Sequence, residues 1–405
     1  MKRKRTVILS AALLSLLTGC SVTLRFGDGD LSETELAESV TEAAVTTVTT
    51  TSEPPVTETE PPKDPDQALY DSLLAAMQNF RIVCTHPAAA SQEQIHRIYE
   101  QIRQEHPEIF WIDNTDYTIY PDRTEFTFHM ISDDMDEIIG WYSDMKAAAL
   151  GVTASIPESW SDWEKALYIH DYLADNVEYD FEGARVNNEM NAANESNAGA
   201  AYNTPYGPLV NHSAVCSGYA SAYQYLAQLL GLECGRVSGT GDGESHSWNY
   251  IRLDGSYYWV DVTWDDDTPA DGIHKETNAP YRHAYCFVPD EIISRSHAVD
   301  SDQPAPPVCD SMELNYYQQT GTYFGHFDEE TVLELLRRNA DDTYVEMMFA
   351  DETSYQEAMT FFGTPDVLGG LSDLFGTGFT IYYSGDDKMY QITVTLPPKA
   401  EIETE

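Results

Sequence analysis

Residues Ala214–Asp267 read AVCSGYASAYQYLAQLLGLECGRVSGTGDGESHSWNYIRLDGSYYWVDVTWDDD. Three side chains with reactive chemistry follow one another there: Cys216 at the start of a predicted helix, His246 at the start of a predicted strand, and Asp261 in the next predicted strand. Such side chains can act as nucleophile, base and orienting acid if they lie within hydrogen-bond reach of one another. The spacing of the surrounding residues predicts whether they do.

The residues after Cys216 predict a helix that begins at this cysteine. Apolar residues recur at helical spacing through Leu230, and Gly231 is a natural stop. A cysteine at a helix N-terminus faces unpaired N–H groups and the positive end of the helix dipole. Both favour the thiolate at neutral pH, and the same N–H groups can hold an oxyanion.

The two strands after this helix determine whether His246 and Asp261 meet. The predicted strands Ser245–Leu253 and Ser256–Trp264 flank Asp254-Gly255, a strong signal for a two-residue hairpin loop. In that register His246 and Asp261 share one face as diagonal neighbours, with Cβ atoms roughly 7–8 Å apart. A three-residue loop would shift the register by one residue and place Asp261 on the opposite face.

Each of the three residues also has a purely structural interpretation. A cysteine that starts a helix is more often a small buried hydrophobe than a nucleophile. His246 could be a satisfied core residue beside Trp248, and Asp261 could cap a turn or pair with an arginine. The three placements agree independently with the roles of a catalytic triad, and this agreement favours catalysis.

Several blocks of sequence match a known family pattern in order. They are Tyr206–Asn211, Val215–Ala220, Gly231–Cys234, His246–Asn249, Asp254–Gly255 and Tyr258–Asp265, preceded by Glu164–Leu173 and followed by Tyr285–Phe287 with Asp290 and His297. With these blocks, residues 157–300 resemble the bacterial, protease-like branch of the transglutaminase-like superfamily. The resemblance implies an α+β chain with a papain-like core, in which the helix bearing the cysteine packs on an antiparallel sheet bearing the histidine and the aspartate. Small α+β domains are expected to flank this core.

The resemblance also implies an activity. Cys216 would be the nucleophile, His246 the general base and acid, and Asp261 the orienting acid. Members of this family attack amide carbonyls through a thioester: water as the acceptor makes a peptidase or amidase, and an amine makes a cross-linking transferase. A backbone N–H of Cys216 or Ser217 is a reasonable first oxyanion donor, and the resemblance implies a second donor upstream. Tyr179, Tyr206 and Asn211 are the candidates.

The N-terminus predicts export and lipidation. Lys2–Arg5 is basic, Val7–Leu17 is apolar but too short to span a membrane as a mature helix, and Leu17–Cys20 resembles a bacterial lipobox. We expect a signal peptide over residues 1–19 and a lipid on Cys20 that holds the protein on the outer face of a membrane. The alternative is a plain secretory signal with a chance cysteine.

The predicted domains follow from composition and pattern. Residues 20–66 form a disordered tether, since the stretch from residue 32 is rich in Thr, Glu and Pro and has no aromatic residue. We predict an N-terminal α+β domain over 67–150, the catalytic domain over 151–304 and a C-terminal α+β domain over 305–405 of order α-β-α-β-β. The Asn-rich stretch Asn187–Asn197 is expected to be an exposed loop.

The net charge of −46 limits the partners. Of the 68 acidic and 22 basic residues, 11 and 6 precede residue 67, so the predicted domains carry most of the acidity. Nucleic acid and anionic lipid surfaces are disfavoured, because both require a basic face. Cationic peptides would be attracted, although solubility of a secreted protein is the simpler explanation of the charge.

We expect no metal and no cofactor. His212, Cys216 and His246 lack paired metal-ligand spacing, and the run Asp265–Asp267 with Asp271 lacks the spacing of a calcium loop and is expected to be solvated. His170 is expected in the core of a helix that the capping box Ser161–Glu164 begins. Cys84, Cys234, Cys286 and Cys309 leave disulfides open, with Cys234 and Cys286 expected as buried thiols.

Two classes of function therefore remain open. The first is a cell-surface thiol enzyme that acts on peptide or envelope-derived amides, as a hydrolase or a transferase. The second is a non-catalytic lipoprotein that binds peptides or envelope components in the same cleft.

Overall fold

The computed structural model describes residues 64–193, 199–266, 282–301, 303–364, 367–375 and 379–398. The predicted signal peptide, Cys20, almost all of the tether, Asp267 and Asp271 lie outside these ranges. Within them the chain divides into two compact units, one of residues 64–102 and 114–129 and the other of residues 103–113 and 130 onward. The division into domains at residues 150 and 304 stays a prediction. None of the described helices is long and apolar enough to cross a membrane.

The smaller unit is built from two helices and a three-stranded sheet of order β1-β3-β2. Its elements are α1 Pro65–Gln78, β1 Val83–His86, α2 Gln92–Glu105, β2 Ile112–Ile119 and β3 Thr124–Met130. Asp64 caps α1 through a hydrogen bond from the Asp66 N–H, and Pro65 occupies the first helical position, where its missing N–H costs nothing. Strand β2 begins at Ile112, directly after the buried Trp111.

The larger unit contains Cys216, His246 and Asp261. Its leading elements are α3 Met135–Thr153, α4 Asp162–Asn176, β4 Glu178–Tyr179, α5 Phe181–Ala193, β5 Ser213–Ala214 and α6 Cys216–Leu229, followed by β6 Cys234–Gly241, β7 Glu244–Leu253, β8 Ser256–Val260, α7 Val262–Asp265, β9 Cys286–Val288, α8 Asp290–Ile293 and β10 His297–Val299. A 3-10 turn, Ala201–Asn203, and a π-helix, Gly207–Asn211, precede β5. The expected capping box at Ser161 is present at the start of α4.

The fold class is the expected one: α6 packs on a five-stranded antiparallel sheet of order β10-β6-β7-β8-β9. Most residues of α6 are buried, and the side chains of Tyr219 and Tyr223 lie in the core. Ile251 and Val260 of the sheet belong to the same apolar cluster. Burial of these rings and branched side chains holds the helix that begins at Cys216 against the strands that carry the other candidate residues.

The hairpin between β7 and β8 has the predicted two-residue loop. Leu253 pairs with Ser256, and both Asp254 (φ 46°) and Gly255 (φ 87°) are left-handed, as a type I′ turn requires. The predicted second strand is too long, however. It ends at Val260, because the Asp261 carboxylate accepts from the N–H groups of Thr263 and Trp264 and starts the short helix α7.

The C-terminal part of the larger unit has its own sheet, of order β11-β12-β14-β13. Its elements are α9 Tyr316–Thr320, β11 Tyr323–Phe324, α10 Glu329–Arg338, β12 Tyr344–Phe349, α11 Glu352–Phe362, α12 Ser372–Phe375, β13 Tyr382–Asp386 and β14 Gln391–Thr395, with a 3-10 turn at Val367–Leu371. The expected order α-β-α-β-β is confirmed from α10 onward, with α12 added. The short parallel strand β11 was not foreseen.

Two further expectations were wrong. The stretch expected as a loop from Asn187 is helical through Ala193, the end of α5, and residues 194–197 lie outside the described ranges. Asp265 and Asp266 are buried rather than solvated, because the Asp265 carboxylate accepts from the Tyr285 N–H and the Tyr219 hydroxyl donates to Asp266. These bonds satisfy carboxylates that would otherwise be costly to bury.

Candidate active site

Cys216 is the first residue of α6 and is half-buried. The residue before it, Val215, is in the N-cap position and makes no side-chain capping bond. A valine has no oxygen to offer the first N–H groups of the helix. The helix start therefore keeps its partial positive charge directed at the cysteine and at any group beside it.

His246 and Asp261 are hydrogen-bonded. The Nε2 atom of His246 lies 2.6 Å from Oδ2 of Asp261, and the two residues are only 6% and 1% exposed. With Nε2 engaged by the carboxylate, Nδ1 is the ring nitrogen left for a thiol. The Cys216 sulfur is near enough to this ring to contribute to its raised pKa. The structure thus brings together all three residues that the sequence singled out.

The charges of the three groups support one another. Burial opposes a charged His246 ring, but the Asp261 carboxylate and then the Cys216 sulfur outweigh it, and the pKa of His246 rises to about 10. Burial likewise opposes the ionised Asp261, yet the neighbouring His246 and His297 hold the pKa of this carboxyl well below its usual range. The arrangement favours an imidazolium beside an ionised aspartate.

Asp261 accepts four hydrogen bonds. Its Oδ1 takes the N–H groups of Thr263 (3.0 Å) and Trp264 (3.3 Å), and its Oδ2 takes His246 and, at 3.0 Å, the Nε2 of His297. His297 is the first residue of β10, which pairs with β6, and its Nδ1 lies 2.8 Å from the Ser296 hydroxyl. Its contact with Asp261 was not predicted. The sequence shows only that His297 matches the family pattern.

Aromatic rings enclose the His246 imidazole. Trp248 stacks on it at a centroid distance of 5.8 Å and 18°, and Trp264 lies 5.3 Å away. Space for these rings depends on Gly241, the last residue of β6. A Cβ atom there would lie 2.6 Å from the Trp264 ring and 3.2 Å from the His246 ring. The apolar walls limit how far the imidazole can turn from Asp261.

Of the four oxyanion candidates, Tyr179 and Ser217 are placed beside the cysteine. Tyr179 belongs to β4, which runs parallel to β5 and pairs Tyr179 with Ala214, two residues before Cys216. Burial and then the charge of the Cys216 sulfur raise the pKa of the Tyr179 hydroxyl, so this group stays a proton donor. Ser217 follows the cysteine in the first turn of α6, where its backbone N–H lacks an intrahelical partner.

The other two candidates are placed less favourably. Tyr206 packs against Phe110, with ring centroids 6.5 Å apart. Asn211 is exposed at the end of the π-helix. The Ser217 hydroxyl donates to Oδ1 of Asn203 at 2.7 Å, so only its backbone group remains available as a donor. Asn203 is a contact that sequence reasoning missed.

The other described cysteines are less suited to act as nucleophiles. Cys84, Cys216, Cys234, Cys286 and Cys309 are all free thiols, and Cys234 and Cys286 are buried, as expected. Burial raises the pKa of the thiols of Cys84, Cys234, Cys286 and Cys309. These four are therefore weak nucleophiles at neutral pH.

Known proteins are similar to the part of the chain that contains Cys216, His246 and Asp261. Residues 147–264 match the family model described as the transglutaminase-like superfamily. Kyphoscoliosis peptidase of Mus musculus is 29% identical over 125 residues, which are 28% of this chain and 17% of that protein. Its counterpart from Homo sapiens is 24% identical over 188 residues, 42% of this chain and 27% of that protein. The chain thus spans less than a third of the length of these relatives.

Solved structures give weaker overall likenesses. A TGase crystal structure is 15% identical at a TM-score of 0.27 and covers 41% of this chain and 47% of its own. A candidate cysteine protease from Cytophaga hutchinsonii is 17% identical at a TM-score of 0.23 and covers 35% of this chain and 51% of its own. At these scores the assignment rests on the family model together with the site geometry. Residues 147–264 are therefore similar to the transglutaminase-like superfamily.

Proposed function

We propose that this protein is a thiol hydrolase that cleaves peptide or side-chain amide bonds through a thioester on Cys216. The observation that carries the proposal is the 2.6 Å contact between His246 Nε2 and Asp261 Oδ2, on a ring that also interacts with the Cys216 sulfur. A binding protein has no need of a buried imidazole held between a thiol and an ionised carboxylate. Such a group costs free energy to bury and is typical of catalytic sites.

The reaction follows from the positions of these groups. In the resting site His246 already holds the proton as an imidazolium, and the Cys216 thiolate beside it attacks the amide carbonyl to form a tetrahedral oxyanion. The N–H groups at the start of α6 and the Tyr179 hydroxyl stabilise that oxygen. The imidazolium then protonates the leaving amine and the C–N bond breaks, leaving the thioester. Water, deprotonated by His246, then releases the acid product and restores the thiolate beside the imidazolium, while Asp261 stays ionised throughout.

The proposal extends to location and substrate. The basic run, apolar stretch and lipobox-like Leu17–Cys20 support a bacterial lipoprotein held at the outer face of the membrane by a lipid on Cys20. The strong acidity of the chain supports peptide or protein substrates that carry positive charge. Envelope-derived peptides combine that chemistry with the proposed location.

Thiol labelling tests the nucleophile. Wild-type protein is treated with a limiting amount of iodoacetamide at pH 7, and the modified cysteines are identified by mass spectrometry. We expect Cys216 to react at least ten-fold faster than Cys84, Cys234, Cys286 and Cys309, and His246→Ala to remove the difference. Equal rates at all five cysteines would contradict an activated nucleophile.

Turnover tests the acceptor. A library of cationic and neutral peptides is incubated with the protein, with and without a primary amine, and Cys216→Ala serves as the blank. We expect cleavage that depends on Cys216 and continues without the amine. Products that form only with the amine would identify a transferase instead. Binding of peptides without any turnover would support the non-catalytic alternative.

A further inference from the structure

A second group of ionisable side chains is buried in the larger unit, outside the catalytic hydrogen bonds. His170 and Asp265 are 0% exposed, His283 is 4% exposed and Glu346 is 5% exposed. Asp171 joins them with its side chain 32% exposed. These residues, the His170–His283 cluster, come from α4, the end of α7, the segment before β9, and β12. The proposed catalytic mechanism does not use these residues.

The centre of the cluster has the donor set of a transition-metal site. Asp171 Oδ1 lies 2.9 Å from Nδ1 of His170 and 3.1 Å from Nε2 of His283, and one ligand atom from each residue lies within 4.8 Å of the others. Ligand atoms placed tetrahedrally around Zn²⁺ at 2.0–2.1 Å lie about 3.3 Å apart. Two of the three separations therefore need to change by only a few tenths of an ångström. Two imidazoles and one carboxylate also leave a fourth position for water.

On each imidazole, the ring nitrogen that faces away from Asp171 contacts a second carboxylate. His170 Nε2 lies 3.1 Å from Asp265 Oδ2, and His283 Nδ1 lies 2.5 Å from Glu346 Oε2. Metal-binding histidines usually donate their other N–H to a carboxylate, which fixes the tautomer and aims the lone pair at the metal. The two carboxylates are themselves held, Asp265 by the Tyr285 N–H and Glu346 by the Gln391 amide.

The charges in the cluster also match a divalent cation. Each imidazole has a carboxylate oxygen at both of its nitrogens, so four hydrogen bonds form only when both rings carry two protons. A divalent cation that replaces the two inner protons leaves the total charge unchanged and keeps the two outer hydrogen bonds. Ring stacking holds the geometry, with His283 3.7 Å from the Tyr316 ring at 4°.

We propose that His170, Asp171 and His283 bind a zinc-class divalent ion, with Asp265 and Glu346 orienting the two imidazoles. The partly exposed Asp171 gives the ion its path from solvent. The catalytic cluster of His246, Asp261 and His297 is less suited, because Asp261 Oδ1 is taken by two backbone N–H groups. A metal here would tie α4 and α7 to β12, and α7 is the helix that Asp261 caps.

Metal binding by the purified full chain tests this proposal. The protein is stripped with a chelator, and Zn²⁺ affinity is measured by competition with a chromophoric indicator, with Co²⁺ absorption as a probe of tetrahedral coordination. We expect one equivalent to bind to the wild type. Asp171→Asn removes a ligand charge without changing shape, and Glu346→Gln removes an orienting carboxylate. We expect each to weaken Zn²⁺ binding by about 10–100-fold.

Two controls separate this site from others. His129→Gln removes a surface histidine that also faces a carboxylate, 2.9 Å from Asp116, and should bind Zn²⁺ as the wild type does. Cys216→Ala should also bind normally. Failure of the wild type to bind Zn²⁺ overturns the proposal, whatever the variants do. Loss of binding in Cys216→Ala, or unchanged binding in both Asp171→Asn and Glu346→Gln, would place the ion elsewhere and also overturn it.

Discussion

Asp261 and His246 are joined by a 2.6 Å hydrogen bond, although the backbone pairing of their strands ends at Asn249 and Val260. Asp261 starts a helix instead of continuing the strand. The carboxylate that caps α7 with one oxygen presents its other oxygen to the imidazole. One side chain thus ends the strand, begins the helix and orients the ring.

Asp261→Asn should abolish most of the activity. The amide keeps the shape of the carboxylate but not its charge, and it stabilises neither the imidazolium nor the required tautomer. By comparison with other triads we expect kcat/KM to fall by on the order of 10⁴-fold. Asp242→Asn is a matched control, since Asp242 is exposed in a hairpin turn and pairs with Lys388. A fall of less than ten-fold in Asp261→Asn would argue against the triad.

The pH dependence should follow the raised pKa of His246. This pKa lies at about 10 instead of 6.5, so the imidazolium persists at neutral pH and is lost as pH rises through about 10. We expect kcat/KM to decline on that alkaline side, since the leaving amine then finds no proton. The ion pair's contribution to stability is fully present below about pH 6.5 and disappears over the same rise. In Asp261→Asn the alkaline limb should move to lower pH; an unmoved limb would assign it to another group.

His297 is expected to position Asp261. In His297→Ala the carboxylate loses one of its four donors, and we expect kcat/KM to fall about ten-fold with little change in KM. His297→Gln keeps an N–H donor and should recover most of the loss. Because His297 helps to hold the pKa of Asp261 down, the Ala variant should raise that pKa, which an NMR titration of the carboxyl would detect. Equal defects in both variants, with an unshifted Asp261 pKa, would indicate a purely structural role.

Gly241→Ala should disable the site with little unfolding. The new Cβ would lie 2.6 Å from the Trp264 ring and 3.2 Å from the His246 ring, so one of these rings must move. We expect at least a ten-fold loss of kcat, read from initial rates, because an angstrom-scale displacement of a catalytic ring is costly. Gly151→Ala in α3 meets no atom within 4 Å and should retain activity. Full activity in Gly241→Ala would show that the rings tolerate the shift.

Tyr179→Phe tests the oxyanion donor. Removal of one such donor costs about 10²–10³-fold in kcat in comparable sites, with KM largely kept. Tyr206→Phe and Asn211→Ala are the comparisons, since Tyr206 packs against Phe110 and Asn211 is exposed, and both should stay within about three-fold of the wild type. A large loss in Tyr206→Phe with none in Tyr179→Phe would reverse the assignment.

Local chemistry explains what could be predicted. The helix start at Cys216 follows from apolar spacing and a glycine stop, and the β7–β8 register follows from Asp254-Gly255, whose left-handed residues allow a two-residue loop. The strand end at Val260 was missed because an aspartate after a strand is equally compatible with pairing and with capping. The helical end of α5 was missed because its Asn- and Ala-rich sequence lacks a clear apolar period.

The amino-acid sequence by itself determined the reactive residue types, their order and the turn that sets their register, since all of these depend on neighbours within a few positions. Only the tertiary structure decided that His297 joins Asp261, that Tyr179 lies beside Cys216 through the β4–β5 pairing, and that His170 meets His283. These contacts join residues that are 36, 37 and 113 positions apart in the sequence. No local period encodes them, because burial and pairing across the whole unit select the partners.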